Sequence, residues 1–303
     1  MLEATRQFAD PQVAHDFFVA IRWPNGVACP LDCGSVRVAY MPKRRRWYCN
    51  DCKGQFTAKV GTVFEDSPIG FDKWLPAIWL VASNRNGISS CELARALKVT
   101  QKTAWYMLHR IRLAMRDKTW EKLGGDVEID ETFVGGKLRN RKRTHQRKVS
   151  GLRGGGNYGK TPVMGMLERK GRVRAFVVPS IRKVTLQPKI LEHIHPSARL
   201  FTDSLYSYEG LDKHFVSHET VNHLIEYVRG HVHTNSIEGF WSVLKRMIKG
   251  TYIAPRPKHL QAYVEEEVFR FNAREMKDGE RFPLALAGAE GARLTYKALI
   301  AER

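Results

Sequence analysis

Two sets of side chains in this sequence of 303 residues have the chemistry and spacing to hold metal ions. The first is sulfur. Cys29-x3-Cys33 and Cys49-x2-Cys52 face each other across 15 intervening residues, and two knuckles of that kind converge on one tetrahedral Zn2+ through four thiolates. Four thiolates leave no position open to water, so this zinc would be structural. Pro30, Gly34 and Gly54 allow the tight turns that aim the sulfurs. A segment of about 40 residues builds too small a core to fold alone, so the metal would supply its folding free energy. The fifth cysteine, Cys91, has no partner in sequence and reads as a small core residue of a helix.

The second set is oxygen. Asp130, followed by Glu131, lies in the apolar strand pattern VEIDETFVGG. Asp203 ends the run RLFTDS, and Glu238 lies in HTNSIEGFWSVLKR, where Ile237, Phe240, Trp241 and Leu244 mark a packed helix face. An acid among such residues is costly to desolvate unless something neutralises it. Three such acids are explained together if they share divalent cations, and hard oxygen ligands suit Mg2+ or Mn2+. Two ions held this way serve in-line phosphoryl transfer. On the residues alone, unrelated capping or ion-pair acids remain the alternative.

The elements that must position these groups follow from periodicity. Residues 11–22 read as a helix capped by Asp10, and 27–66 as short strands around the cysteines. Residues 71–116 are helical with a break at 84–90. Gly124–Gly125 marks a boundary, after which VEIDETFV, PVMGMLE, RVRAFVVPS, RLFTDS and HFVSHETV read as strands, with TLQPKILEHI a helix between the third and fourth. Residues 234–249 and 258–275 return to helical spacing, so strands closed by helices give a mixed α/β layer. Within 71–116, Ser89 or Ser90 can cap a helix through CELARALK, and a short turn leads to QKTAWYMLHRIRLAMR. Its apolar stripe leaves Lys102, His109, Arg110, Arg112 and Arg116 mostly outside, the layout of a helix-turn-helix reading a major groove. A helical hairpin that only packs against its neighbours is the alternative.

Net charge is +19. A chain this basic suits a polyanion, because neutralising phosphates releases counterions. The basic groups cluster. Lys43, Arg44, Arg45 and Arg46 precede Trp47 and Tyr48 between the cysteine pairs. Residues 137–153 hold eight Lys/Arg and no acid, with Arg141, Lys142 and Arg143 at their centre, and read as a loop or arm that grips phosphate. The first 20 residues lack a secretory pattern, and the longest apolar run, Leu75–Ala82, is too short to span a bilayer. The expectation is a soluble intracellular protein without a membrane partner, in which clustered cysteines favour metal over disulfides.

In order along nearly the whole chain, RWPNGVACP, the two cysteine pairs, KGQFTAKVGTVFE, KTAWYMLHRIR, VEIDETFVGGK, FTDSLYSY and HTNSIEGFWSVLKR resemble the zinc-ribbon insertion-sequence transposases of the insertion-sequence-1595 superfamily, which carry a DDE catalytic domain. The resemblance implies an α/β fold: an RNase H-like catalytic domain over 124–253, preceded by a helix and zinc ribbon over 1–66 and a helix-turn-helix region over 67–123, and followed by a helical segment over 254–303. It implies Asp130, Asp203 and Glu238 as the catalytic, Mg2+-binding triad. Asp203 and Glu238 stand 35 residues apart, close to the interval common among such enzymes. Some relatives carry Asn in the third position, so Asn235, almost one helical turn earlier, could share or replace that ligand. Strand alternation points Glu131 away from Asp130, which leaves it outside the triad. Lys245, two turns after Glu238, matches a basic residue these enzymes place near terminal DNA, and Arg246 is taken with it. The histidines of 193–233, including His231 and His233, read as phosphate contacts or helix-entry hydrogen bonds, with a transition-metal site as the alternative.

The implied activity is recognition of the terminal inverted repeats of an insertion sequence, Mg2+-dependent cleavage there, and attack of the freed 3′-hydroxyl on target DNA. A dimer or larger assembly on DNA, in the bacterial cytoplasm beside the nucleoid, is implied as well. The rival readings are a DNA-binding regulator derived from a transposase, which the presence of all three acids disfavours, and an RNase H-like nuclease that cleaves without joining.

Overall fold

Asp10 opens the first helix as the sequence suggests. Its carboxylate accepts from the backbone N–H groups of Gln12 and Val13, and Pro11 fills the first turn of α1 (Pro11–Arg22). The computed structural model describes residues 6–119, 121–136, 159–221 and 233–301. It divides into two compact units, one of residues 1–116 with 275–303 and the other of 117–274. Among the described residues no helix is long and apolar enough to cross a membrane.

The first unit holds a three-stranded antiparallel sheet, β1 (Val38–Met41), β2 (Arg46–Cys49) and β3 (Gln55–Phe56), in that order. Its helices are α2 (Phe71–Ser83), α3 (Ser90–Leu97) and α4 (Gln101–Ala114). Ser89 and Glu92 form a reciprocal capping box at the start of α3, and Thr100 caps α4. Phe18, Phe64, Phe71 and Trp74 build the centre of this unit through ring contacts.

Three differences from the sequence reading appear here. The C-terminal region, expected as one helical segment, is divided: residues 257–272 belong to the sheet-bearing unit, whereas Asp278–Ala287 packs on the first unit, with Phe282 against Phe8, Phe17 and Trp79. That return covers the side of α4 expected to face DNA. His109, Arg110 and Arg112 are buried, and Arg110 donates to the carbonyls of Glu65 and Leu294 and to the Tyr106 hydroxyl. They are therefore packing groups rather than DNA contacts, and among those candidates Lys102, at the start of α4, and Arg116, just past its end, are the exposed ones. Cys91 is exposed, not a core residue, because it sits on the outer side of α3 while Leu93, Ala94 and Leu97 turn inward.

The second unit is a five-stranded sheet in the order β6-β5-β4-β7-β8, from β4 (Asp126–Val134), β5 (Thr161–Glu168), β6 (Val173–Val177), β7 (Arg199–Asp203) and β8 (Ser217–Val221). β4, β5 and β6 pair antiparallel, and β7 and β8 continue the sheet in parallel from β4. Strand alternation sorts the two faces. Val127, Ile129, Met164 and Met166 join Leu186 and Ile190 of α5 (Lys183–His193) on one face. Val163 and Leu167 join Ile237, Phe240, Trp241 and Leu244 of α6 (Asn235–Met247), with Leu260 and Val264 of α7 (Pro257–Asn272), on the other. Each face buries enough apolar surface to hold its helices firmly. Residues 117–123, expected to close the preceding helical region, join this unit through Leu123, whose N–H donates to His193, and through Arg174, which reaches Thr119.

Candidate active site

The central strand β4 carries four acids, Asp126, Glu128, Asp130 and Glu131, and the last three bear on the site. Asp130 lies opposite Gly165 of β5, on the face covered by α6. Its carboxylate accepts a hydrogen bond of 2.9 Å from the Trp241 indole. That contact needs glycine at 165, since a Cβ there would stand 2.6 Å from the Trp241 ring. Glu131 turns to the opposite face, where the Tyr208 hydroxyl donates to it. Asp203 ends β7, and its carboxylate accepts from the N–H of Leu205, which fixes the turn after the strand.

Oxygens of Asp130, Glu131 and Asp203 all lie within 4.8 Å of one another. Glu131 therefore joins the two aspartates despite facing the other way. Alternation sets the direction in which its side chain leaves the strand, but a glutamate is long enough to bring its carboxylate to the end of β7, beside Asp203. Glu238 is exposed on α6 and stands outside this group, yet its charge acts on Asp130. Burial, with the charges of Asp203 and Glu238 behind it, pushes the Asp130 carboxyl up to about 6. Burial likewise pushes Glu131 up to about 8, with Asp130 and Asp203 adding to it. Desolvated carboxylates that repel one another are a donor set that a divalent cation neutralises. Their spacing matches hard-cation ligation, in which oxygens across one Mg2+ lie about 4.2 Å apart.

Another acid of β4, Glu128, is not singled out by the sequence. It is fully buried, two residues before Asp130 and on the same face. Its carboxylate accepts from the backbone N–H groups of Ser236 and Ile237 at 2.9 and 3.0 Å, from the Ser236 hydroxyl, and from Arg169 at 2.8 Å. Those backbone groups are orphan donors of the first turn of α6, where Thr234 makes no side-chain cap. Glu128 caps α6 from the neighbouring strand, and its charge is favoured at the positive end of the helix. The strand carrying Asp130 thus grips the helix carrying Glu238. The available signal was the alternation of V-E-I-D, which places both acids on one face.

The four cysteines form the other metal-holding group. Cys29 and Cys52 sulfurs lie 3.8 Å apart, and those of Cys33 and Cys49 lie 3.6 Å apart. Thiolates around a tetrahedral zinc with Zn–S near 2.3 Å stand about 3.8 Å from each other, so the four side chains fit that ion. Backbone N–H groups of Cys52 and Asp51 bring the Cys49 thiol down to about 6, which favours the thiolate a metal requires. Lys43, Arg44, Arg45 and Arg46 are exposed around the β1–β2 turn.

The remaining candidates fall in several places. Asn235 is exposed at the start of α6, Lys245 is half-buried and Arg246 exposed. Lys102 is exposed, with its ammonium over the Tyr296 ring. Arg141, Lys142, Arg143 and His231 lie outside the described residues. Among the described residues the transition-metal alternative finds no cluster: His193 stacks on Phe176, His218 pairs with Thr202 and His233 approaches Glu128.

Residues 122–272 match the ISXO2-like transposase domain, and residues 10–55 match the transposase zinc-ribbon domain. A protein of the transposable element ISH50 from Halobacterium salinarum is 30% identical over 284 residues, covering 89% of this chain and 95% of its own length. A transposase-like protein of Haemophilus influenzae is 34% identical over 108 residues, covering 36% of this chain and 87% of its own. With the sulfur cluster in its ribbon and carboxylates of β4 and β7 brought together in its sheet, the chain belongs to the zinc-ribbon, ISXO2-like transposases of insertion-sequence-1595 type.

Proposed function

We propose that this transposase cuts and joins DNA at the carboxylate cluster of its sheet-bearing unit. The observation that carries the reading is the convergence of Asp130, Glu131 and Asp203 within 4.8 Å, where β7 ends beside the middle of β4. The strand order, with three antiparallel strands continued by two parallel ones and helices on both faces, supports an RNase H-like fold. Asp130 and Asp203 would hold Mg2+ or Mn2+ together with Glu238, which α6 brings to the same face as Asp130. Glu131 is a fourth acid at the site, and Asn235 an additional ligand candidate one turn before Glu238. The ions, when bound, polarise the phosphodiester and the oxygens entering and leaving it.

The chain's own residues do the positioning. Trp241 fixes the Asp130 carboxylate, Tyr208 fixes Glu131, and Glu128 holds α6 on the sheet. In cleavage a water oxygen bonds to phosphorus as the P–O3′ bond breaks, leaving a 3′-hydroxyl and a 5′-phosphate. In joining, that 3′-oxygen bonds to a target phosphorus and displaces the target's own 3′-oxygen, so no outside energy source is needed. The ribbon, the exposed basic turn at Lys43–Arg46, Lys102 with the α3–α4 pair as a helix-turn-helix, and Arg141–Arg143 would engage DNA backbone and terminal repeats. Lys245 and Arg246 would serve the strand at the active site. Bringing two ends together would call for a dimer or larger assembly.

The test is incubation of the chain with Mg2+, a duplex carrying the DNA that flanks its coding region, and a target plasmid. The expected products are 3′-hydroxyl ends and their covalent joints to the plasmid. Asp203→Asn should lose both and keep end binding. Cleavage without joining would favour a simple nuclease, and cleavage by Asp203→Asn at the wild-type rate would reject the site.

A further inference from the structure

Beside the carboxylates lies a cavity of about 710 Å3. Phe133, Ile248 and Leu260 give it apolar walls, and Lys160, Lys245 and Lys249 give it cationic ones. Glu131 also lines it, so the cavity opens onto the acidic cluster itself. Burial lowers the Lys245 ammonium, which also feels Asp130 and Glu238 on one side and Lys249 and Lys160 on another. One compartment therefore joins an acidic end, a cationic wall and an aromatic surface.

The rim is built in an unusual backbone. After α6 the chain passes through a π-helical turn, Ile248–Tyr252, of the kind that recurs at functional sites. Ile253 then adopts φ 63 and ψ −65, and the N–H of Ala254 donates to the carbonyl of Tyr252. That is the strained form of the γ-turn, here centred on a β-branched residue that ordinarily avoids positive φ. Its anchor is below: the Tyr252 hydroxyl donates to Glu266, which is buried and paired with Arg270. The outcome is an isoleucine side chain held 76% exposed at the mouth of the cavity. Strain persists where surrounding structure enforces it, and such places concentrate at ligand sites.

We propose that this cavity receives one unpaired nucleotide of the DNA strand whose phosphate lies at the carboxylates. The lysines meet its backbone, Phe133 and the aliphatic walls meet its base, and Ile253 abuts the base pair from which it has parted. The volume suits a group of nucleotide size. Aromatic stacking with cationic contacts is how single-stranded nucleic acid is held without regard to sequence, whereas an intact duplex has no free base face to offer. The assignment rests on the reading of the acids as a DNA strand-transfer site.

The test compares two fluorescent duplexes of equal length, one blunt and one with a two-thymidine 3′ overhang, binding to the full chain in metal-free buffer. The overhang probe should bind about tenfold more tightly, the scale of one stacked base with its phosphate contacts. Ala254→Trp, which narrows the mouth from an exposed position, and Lys249→Glu should each reduce that ratio to about one. Equal binding of both probes by the wild-type chain, or a ratio kept in either variant, overturns the assignment. No cleavage takes place in this assay, so its outcome is separate from that of the cutting test. A chain that prefers the overhang yet never cleaves with Mg2+ would lose the catalytic reading and keep the pocket.

Discussion

Glu128 and Glu131 stand three residues apart on one strand and are desolvated in opposite electrostatic settings. Glu128 is surrounded by donors: two helix N–H groups, a hydroxyl and a guanidinium. Replacing it by Gln keeps the shape but removes the charge and turns one oxygen into an amide donor facing N–H groups, a loss of about 1–3 kcal/mol. Glu128→Gln is therefore expected to lower stability by that amount and to raise the Mg2+ concentration at half-maximal cleavage, because Glu238 is no longer held in register. Full activity at wild-type Mg2+ demand would show that the clasp does not position the site. Glu131 has a single side-chain donor, the Tyr208 hydroxyl, and burial, with the charges of Asp130 and Asp203 behind it, raises its carboxyl to about 8 from 4.5. A raised folded-state value means that the protonated form contributes stability fully below about pH 4.5 and that this is lost as pH rises through about 8. Glu131→Gln should thus raise the melting temperature of the metal-free chain at pH 8 and have little effect at pH 4.5. A difference independent of pH would exclude this origin.

Those residues also mark what could be read from the sequence. Asp130, Asp203 and Glu238 stand out in the sequence because each interrupts an apolar pattern, and of these the two aspartates fall in the acidic group. Glu128 interrupts the same pattern as Asp130 but makes sense only beside the start of α6, more than 100 residues later, as its bond to Ile237 shows. Strand alternation gives the face of Glu131 but excludes it from the group, because alternation does not describe the reach of a long side chain.

At the scale of elements, periodicity located the strands and helices of the sheet-bearing unit well, since each is long relative to its turns. It failed on α4. A stripe of Ala104, Trp105, Leu108 and Ile111 suggests one buried side, yet every residue from Met107 to Arg112 is buried and Trp105 only partly so. Residues near 282–296 return to cover the second side, and nothing in a local window reveals such a partner. The ribbon is the opposite case. Its strands are only two to four residues long, but the cysteine spacing alone specified the unit. One zinc per chain is expected by metal analysis, and Cys49→Ala should abolish it. The variant should also lose ordered structure around Trp47, whose ring stacks between His15 and Phe56, as read by tryptophan fluorescence. Retention of zinc by that variant would refute the four-sulfur site.

For the whole molecule, the net charge of +19 and the exposed basic turn of the ribbon argue for a polyanionic partner. Duplex binding should weaken steeply with salt, with log K falling linearly against log salt at a slope of about −0.9 for each phosphate neutralised. Reversal of Lys43–Arg46 to acids should make that slope shallower, and an unchanged slope would remove the ribbon from the DNA interface. The catalytic proposal depends on cations being shared by acids far apart in the chain. Its most direct measurement replaces Mg2+ with Fe2+ and ascorbate, so that radicals formed at the bound ion cut the nearby backbone. Cuts close to residues 130, 203 and 238, suppressed by excess Mg2+ and absent in Asp203→Asn, are the expected result. Cutting elsewhere, or cutting at those positions that survives both Mg2+ and Asp203→Asn, would contradict a common metal site.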